Sequence, residues 1–189
     1  MNALLRLTVV ASIALCLAGI GRGAEVGGVK LDEKATLAGQ ELSLNGAGLR
    51  TRLVFKVYVA SLYLPQRAGD AQAVLGQAPR RIQLNMLRGL SADQLVDAFN
   101  EGLDANNSAS DLAAVKAQID QLSGIMRAFK EVKEKDVIAL DFVDGTTRVV
   151  WNGETKGTIV GAAFNQALTR IWLGDKPVQP DLKKALLGG

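Results

Sequence analysis

The first half of the chain alternates apolar and polar residues in short stretches, which predicts strands. Residues 25–48 carry short β-like segments separated by glycines, including the NGAG of residues 45–48. Residues 50–64 form a longer alternating run that ends before a proline, a residue that cannot donate to a strand ladder. After a short predicted helix at residues 71–75, the segment RRIQLNMLR, residues 80–88, predicts another half-buried strand.

Helical spacing replaces alternation in the middle of the chain. Ser91, with a glutamine three residues later, forms a capping box. The helix that it opens carries Leu95, Phe99 and Leu103 at helical spacing. A second helix is predicted from Ser110, with one continuous apolar stripe. Both helices therefore have an apolar side that must pack on something.

Alternation returns in the last third of the chain. Asp144-Gly145 and Asn152-Gly153 are strong predictors of two-residue turns, so residues 137–160 are predicted as an antiparallel meander of three strands. A third helix is predicted at residues 162–173 and a last short one at residues 181–187. This order predicts an α+β domain: one antiparallel sheet, a helical layer on one face, and the other face open to solvent.

The run at residues 50–64 has a charged side. If it is one continuous strand, Arg50, Arg52, Lys56 and Tyr58 lie on one side and apolar residues on the other. A guanidinium offers a planar, permanently charged fork that suits a carboxylate or an enolate. The pattern leaves two interpretations open: the water-facing side of a sheet, or the floor of a site that holds an anion.

The N-terminus predicts export. Residues 1–24 have the three parts of a secretory signal peptide: a basic residue, an apolar run over residues 7–20 and small residues near the end. The apolar run is too short for a convincing membrane span. We expect cleavage after Ala24, with cleavage after Gly21 or an uncleaved anchor helix as alternatives. The remaining domain, residues 25–189, is expected to be periplasmic or secreted.

Composition excludes several classes of protein. The chain has a net charge of +3, but residues 1–24 hold two of its 22 basic residues, Arg6 and Arg22, and none of its 19 acidic ones, so the remaining domain has a charge of +1. A nucleic-acid partner then has little electrostatic attraction. The absence of histidine excludes a histidine base or a typical zinc site. The single cysteine, Cys16, lies in the signal, and we expect no metal and no cofactor.

Three blocks of the chain resemble the exported bacterial branch of the chalcone isomerase superfamily. They are GAGLRTRLVFKVYVASLYLP, LSADQLVDAFNEGL and FNQALTRIWLGDKPVQPDLKKALLG, and the similarity covers residues 27–188 in order. The resemblance implies a curved antiparallel sheet, a helical layer and a ligand cleft between them. It also implies one of two activities. Chalcone isomerases close a chalcone to a flavanone with an arginine that holds the oxyanion, whereas fatty-acid-binding members hold a carboxylate with the corresponding arginine and a tyrosine.

The family's catalytic pattern is only partly present in this sequence. Its arginine corresponds to Arg50 and its helix asparagine to Asn100. The positions of its hydroxyl residues hold Tyr58, Asp93 and either Asn165 or Gln166. Donors placed where charge develops supply much of the rate in such a reaction, so their replacement argues against strong catalysis.

The sequence therefore favours an exported, non-catalytic member that binds a small amphipathic anion such as a fatty acid. The candidate ligand-binding residues are Arg50, Tyr58, Asn100 and Arg52. The stretch from Arg50 to Lys56 is shorter than in the family, which implies a shortened hairpin and leaves Arg52 as an alternative to Arg50. Two other functions stay open: an intramolecular lyase acting on an unknown enone, and an interaction module without a small ligand.

Overall fold

The computed structural model describes residues 24–189. The signal peptide predicted at residues 1–24 lies outside the described residues except for Ala24. The strands are β1 (Glu25–Val26), β2 (Val29–Lys30), β3 (Lys34–Leu37), β4 (Gln40–Arg52), β5 (Phe55–Leu64), β6 (Arg80–Met86), β7 (Leu90–Ser91), β8 (Glu131–Val132), β9 (Val137–Val143), β10 (Thr146–Trp151) and β11 (Glu154–Val160). The helices are α1 (Ala71–Leu75), α2 (Ala92–Asn106), α3 (Ala109–Ala114), α4 (Lys116–Arg127), α5 (Ala162–Leu173) and α6 (Pro180–Leu186).

A curved antiparallel sheet of seven strands is the frame of the fold. Its strand order is β11-β10-β9-β6-β5-β4-β3. The predicted meander is confirmed, because β9, β10 and β11 are joined by two-residue turns at Asp144-Gly145 and Asn152-Gly153. β1 pairs with β2 and β7 with β8 in two small separate ladders. The predicted α+β class is therefore confirmed.

The main core lies between this sheet and the helices on one of its faces. Alternate residues of β5 and β6 enter it, namely Ala60, Leu62, Leu64, Ile82, Leu84 and Met86. The helices contribute Phe99 from α2, Leu122 from α4, Trp172 from α5 and Leu182 from α6. Within residues 24–189, no helix is both long and apolar enough to span a membrane.

Local signals in the sequence place several elements well. The Ser91 capping box is present, with Gln94 N–H donating to Ser91 Oγ at 3.2 Å and Ser91 N–H donating to Gln94 Oε1 at 3.0 Å. The helix predicted at residues 162–173 has those bounds as α5. These signals are local hydrogen-bond and turn preferences, which need no tertiary information.

The helix predicted from Ser110 as one continuous element is wrong. Ser108 caps α3, and the chain leaves helical geometry at Val115 (φ −113°, ψ 15°) before α4 begins. Val115 is buried, and a β-branched residue loses side-chain freedom in a helix. The apolar stripe is continuous in sequence, but it belongs to two helices.

The NGAG of residues 45–48 lies inside β4 and does not separate two strands as predicted. Asn45 is the extra residue of a bulge, and its buried amide donates to Leu186 O at 2.7 Å and Ala68 O at 3.0 Å. A Cβ added at Gly46 would overlap the carbonyl oxygen of Ala185 in α6. The glycine is therefore required by the close approach of α6 to β4.

Candidate functional site

The charged run at residues 50–64 is a hairpin, and its prediction as one continuous strand is wrong. Arg52 in β4 pairs with Phe55 in β5, with Leu53-Val54 as the turn, so a hairpin is present where the resemblance implied one. The turn lacks the glycine, asparagine or aspartate that marks such turns. The alternating pattern therefore continues across it and predicts a single strand. Arg50 is registered directly opposite Tyr58 across the hairpin.

The side of the hairpin that carries Tyr58 faces the helices and not the solvent. A cavity of about 550 Å³ opens there between the hairpin, α2, α5 and the segment before α6. Its apolar walls include Val57, Leu95, Phe99, Ile171 and Trp172. The volume lies within the range of small-molecule sites, about 300–1,000 Å³.

Tyr58 presents a hydroxyl whose proton is directed by its neighbours. Trp172 Nε1–H donates to the Tyr58 hydroxyl oxygen at 3.1 Å, and Arg50 is close enough for its charge to act on the same phenol. Burial raises the pKa of Tyr58 more than Trp172 and Arg50 lower it, so the phenol is neutral at physiological pH. Neither an indole nor a guanidinium can accept a proton. The Tyr58 O–H is therefore available to an acceptor in the cavity.

Arg50 is half-buried and is oriented by the start of α6. Its Nη1 donates to Thr51 O at 2.5 Å and to Gln179 Oε1 at 3.4 Å. Gln179 in turn accepts from Thr51 N–H at 2.9 Å and donates to Leu49 O at 3.2 Å. Among the described residues, the other Arg50 nitrogens, Nε and Nη2, form no hydrogen bond that meets normal geometry. A guanidinium has five N–H donors, so Arg50 keeps several for a ligand.

The rim of the cavity is charged and its interior is apolar. Arg52, Arg88 and Lys176 line it with exposed side chains, and the carboxylates of Asp97 and Glu101 lie on the α2 side. Chemically, the arrangement offers apolar surface on the walls and hydrogen-bond donors at Arg50 and Tyr58, which suits a molecule with an apolar body and one anionic group.

The structure brings together three of the four residues singled out in the sequence. Arg50, Arg52 and Tyr58 line the cavity, with Arg52 exposed at its rim. Asn100 is half-buried on α2 and is not among the lining residues, whereas its neighbour Phe99 is.

The positions where the family has other hydroxyl residues also lie away from the cavity. Asp93 is exposed and its carboxylate is 3.5 Å from the Arg127 guanidinium. Asn165 is buried in a separate cluster with Arg80, Thr147 and Thr169. Gln166, next to it on α5, is exposed.

Sequence reasoning missed two residues that shape the site. The sequence indicates only packing for Trp172, but its indole N–H also donates to the Tyr58 hydroxyl oxygen. Gln179 lies between two prolines that indicate a rigid turn. The second of these, Pro180, occupies the first position of α6 and marks a helix start, but glutamine is not a preferred capping residue. No signal in the sequence linked Gln179 to Arg50, because the two are 129 residues apart.

A curved antiparallel sheet with a helical layer on one face and a cavity lined by arginines between them defines an α+β protein with an open cleft. The chain belongs to the chalcone isomerase-like family, whose model matches residues 23–188. In structure it is similar to the fatty-acid binding protein of Arabidopsis thaliana, with a TM-score of 0.64 and 15% identity over 85% of this chain and 92% of that one. No curated protein matches the chain in sequence.

Proposed function

We propose that this protein is an exported, non-catalytic chalcone isomerase-like protein that binds a small amphipathic anion such as a fatty acid. The carboxylate accepts hydrogen bonds from Arg50 and from the Tyr58 hydroxyl, and the alkyl chain lies along the apolar wall. The structural similarity to a fatty-acid binding protein supports this class of ligand. The predicted signal peptide supports a periplasmic or secreted location.

One observation carries the proposal: the Tyr58 hydroxyl is surrounded by donors. Trp172 Nε1–H is 3.1 Å from its oxygen, and the Arg50 guanidinium acts on the same group. The phenol must therefore direct its own proton toward an acceptor from outside this cluster. A carboxylate placed there meets a neutral donor and a cation together, a combination that favours anions over neutral lipids.

Binding of a fluorescent fatty acid to the delipidated, processed protein tests the proposal. We expect saturable binding that weakens about tenfold or more in Arg50→Ala, since a charge-assisted hydrogen bond is lost. Arg67→Ala is the matched control, because Arg67 is an exposed arginine beyond the far end of β5. Native mass spectrometry of gently purified protein should show an adduct of fatty-acid mass that is lost in Arg50→Ala. Equal affinity of Arg50→Ala and wild type would overturn the assignment.

The same two donors favour one second candidate, an intramolecular lyase of the chalcone isomerase type. Arg50 and Tyr58 could stabilise an enolate oxygen as it develops on an enone. An arginine that holds the anion equally in ground and transition states contributes to affinity more than to rate. A chalcone cyclisation assay at several pH values separates the candidates: a rate above that of buffer, lost in Arg50→Ala, would favour the lyase.

A further inference from the structure

The tip of the β4–β5 hairpin is the most exposed apolar feature of the described chain. Leu53, Val54 and Phe55 have 92%, 87% and 54% of their surface exposed. The last residue of β6, Met86, pairs with Tyr58, and Leu87 N–H donates to Val57 O at 2.9 Å, so the hairpin extends past the end of β6 from residue 56 toward the turn. Among residues 24–189, the other large apolar residue with comparable exposure is Val160, which stands alone. The three tip residues are consecutive and form one exposed apolar patch.

Turn geometry does not explain this choice of residues. Leu53 has φ = 55°, a conformation that favours glycine or asparagine. The other two-residue turns of the main sheet are Ala38-Gly39, Asp144-Gly145 and Asn152-Gly153, and each of them has a glycine at its second position. At the β4–β5 turn, Leu53 is unfavourable for its own backbone conformation, and the apolar side chains of Leu53, Val54 and Phe55 are all exposed to water. Strain and exposure at one place point to a contact outside the chain.

Basic residues surround the apolar tip. Arg52 and Lys56 flank it on the two strands, and the Arg88 guanidinium lies 4.9 Å from the centre of the Phe55 ring. The sequence has no acidic residue between Glu41 and Asp70. The carboxylates of the cavity rim are on α2, across the mouth from the hairpin. An exposed apolar patch flanked by three basic side chains is complementary to an anionic lipid surface.

We propose that the β4–β5 hairpin docks the protein on an anionic membrane surface. Leu53, Val54 and Phe55 insert at the boundary of headgroups and acyl chains, and Arg52, Lys56 and Arg88 contact lipid phosphates. Because Leu53 and Phe55 also line the cavity, docking brings its mouth to the bilayer, where an amphipathic ligand can enter or leave without crossing water. Docking itself needs no ligand, so it does not depend on the proposed function.

Sedimentation of the delipidated, processed protein with phosphatidylglycerol-containing vesicles tests this proposal. We expect binding that falls with rising salt and is much weaker on phosphatidylcholine vesicles. The exchange Leu53→Asn with Val54→Gly installs the turn residues used elsewhere in the chain. It should weaken vesicle binding about tenfold or more and change the free energy of unfolding only slightly, because asparagine suits the positive φ of Leu53 while glycine at position 54 adds entropy to the unfolded chain. Val160→Asn is the matched control and should bind as wild type.

Two further variants separate the charge from the apolar contact. Arg52→Gln with Lys56→Gln should weaken binding to anionic vesicles by about tenfold, whereas Arg67→Gln should not. A fluorophore at Val54→Cys should shift to the blue on vesicles and one at Val160→Cys should not; the processed chain has no other cysteine if Cys16 has been removed.

Two results would overturn the docking proposal. One is equal vesicle binding by wild type and the Leu53→Asn, Val54→Gly variant. The other is absence of vesicle binding together with concentration-dependent dimerisation that this variant abolishes, because the tip would then contact a second copy of the chain. Neither result bears on fatty-acid binding, which is measured without vesicles, so the two proposals fail separately.

Discussion

Arg80 and Arg50 both extend from the sheet beneath the helical layer, and they differ in how many of their guanidinium N–H groups the protein itself uses. Arg80, on β6, is buried, with 4% of its surface exposed. It donates to Gln77 O and Thr169 Oγ1, both at 3.0 Å, and stacks at 4.5 Å on the Phe142 ring. Arg50, on β4, is half-buried beside an open cavity and keeps several donors free of normal hydrogen bonds in the described part of the chain.

The comparison shows that burial of a cation does not by itself make a ligand site. Burial lowers the pKa of Arg80 to about 10, so the group is still charged at neutral pH, yet within residues 24–189 no carboxylate forms an ion pair with it. Its surroundings are closed by protein groups. Arg50 has a weaker set of internal partners and adjacent space, and this combination is what a ligand requires.

The largest expected effect on stability is at Arg80, whose surroundings are filled by protein groups. Arg80→Ala should lower the free energy of unfolding by about 3 kcal/mol, because it leaves a void between the sheet and α5. Arg80→Met should cost about 1 kcal/mol or less, since it fills the space and removes a buried charge that lacks an ionic partner. Chemical denaturation measures both. Equal losses for the two variants would mean that the guanidinium hydrogen bonds, not the volume, stabilise this region.

Substitution of Arg50, which lies beside the open cavity, should have the opposite effect: a small change in stability and a large loss of affinity. Arg50→Met should change the free energy of unfolding by less than about 1 kcal/mol and weaken fatty-acid binding about 10- to 100-fold. Arg52→Met is the matched control at the exposed rim and should weaken binding only a few-fold. Denaturation and titration of the same samples provide both values. A larger loss of affinity in Arg52→Met would identify Arg52 as the arginine that holds the anion.

Much of the fold could be predicted because its signals are local. The Asp-Gly and Asn-Gly turns, the Ser91 capping box and the bounds of α5 depend on short-range preferences. The break at Val115 and the glycine at position 46 could not be predicted in the same way. Both depend on where a helix lies in the finished structure, which the pattern along the chain does not contain.

The candidate site divides in the same way. Strand periodicity predicts that Arg50 and Tyr58 lie on one side of a single strand, whereas in the structure they are paired across a hairpin. The turn of this hairpin, Leu53-Val54, has no residue that is typical of turns. Contacts that join distant segments, such as Gln179 with Thr51 and Trp172 with Tyr58, have no counterpart in sequence spacing. Such contacts arise from tertiary packing and could be read only from the structure.

Tyr58→Phe tests whether the phenol serves the ligand as well as the fold. The buried Trp172 N–H loses its acceptor, so the free energy of unfolding should fall by about 1 kcal/mol. Fatty-acid affinity should fall about fivefold with the lost hydrogen bond. Tyr63→Phe is the matched control, because its hydroxyl donates to Asp32 O at 3.1 Å away from the cavity. Unchanged affinity in Tyr58→Phe would leave Arg50 as the sole anion contact.

The free energy of unfolding at alkaline pH tests the Tyr58 phenol separately from ligand binding. Burial raises the pKa of folded Tyr58 above its usual 10, so above pH 10 the unfolded chain releases this proton while the folded chain retains it. The unfolded state then binds fewer protons, and stability falls as pH rises. The difference in unfolding free energy between Tyr58→Phe and wild type should be constant below pH 9 and shift in favour of the variant above pH 10. A difference that stays flat to higher pH would contradict the raised pKa.

The smallest expected effect is at Asn100, the family position that the structure places outside the cavity lining. Its neighbours Phe99 and Gly102 line the cavity, and successive helical residues point about 100° apart, so Asn100 lies beside the wall and not in it. Asn100→Ala should therefore change fatty-acid affinity less than about twofold, because no contact with the cavity is lost. A tenfold loss would contradict this placement and would mean that Asn100 contacts the ligand in the bound protein, although it does not line the cavity in this structure.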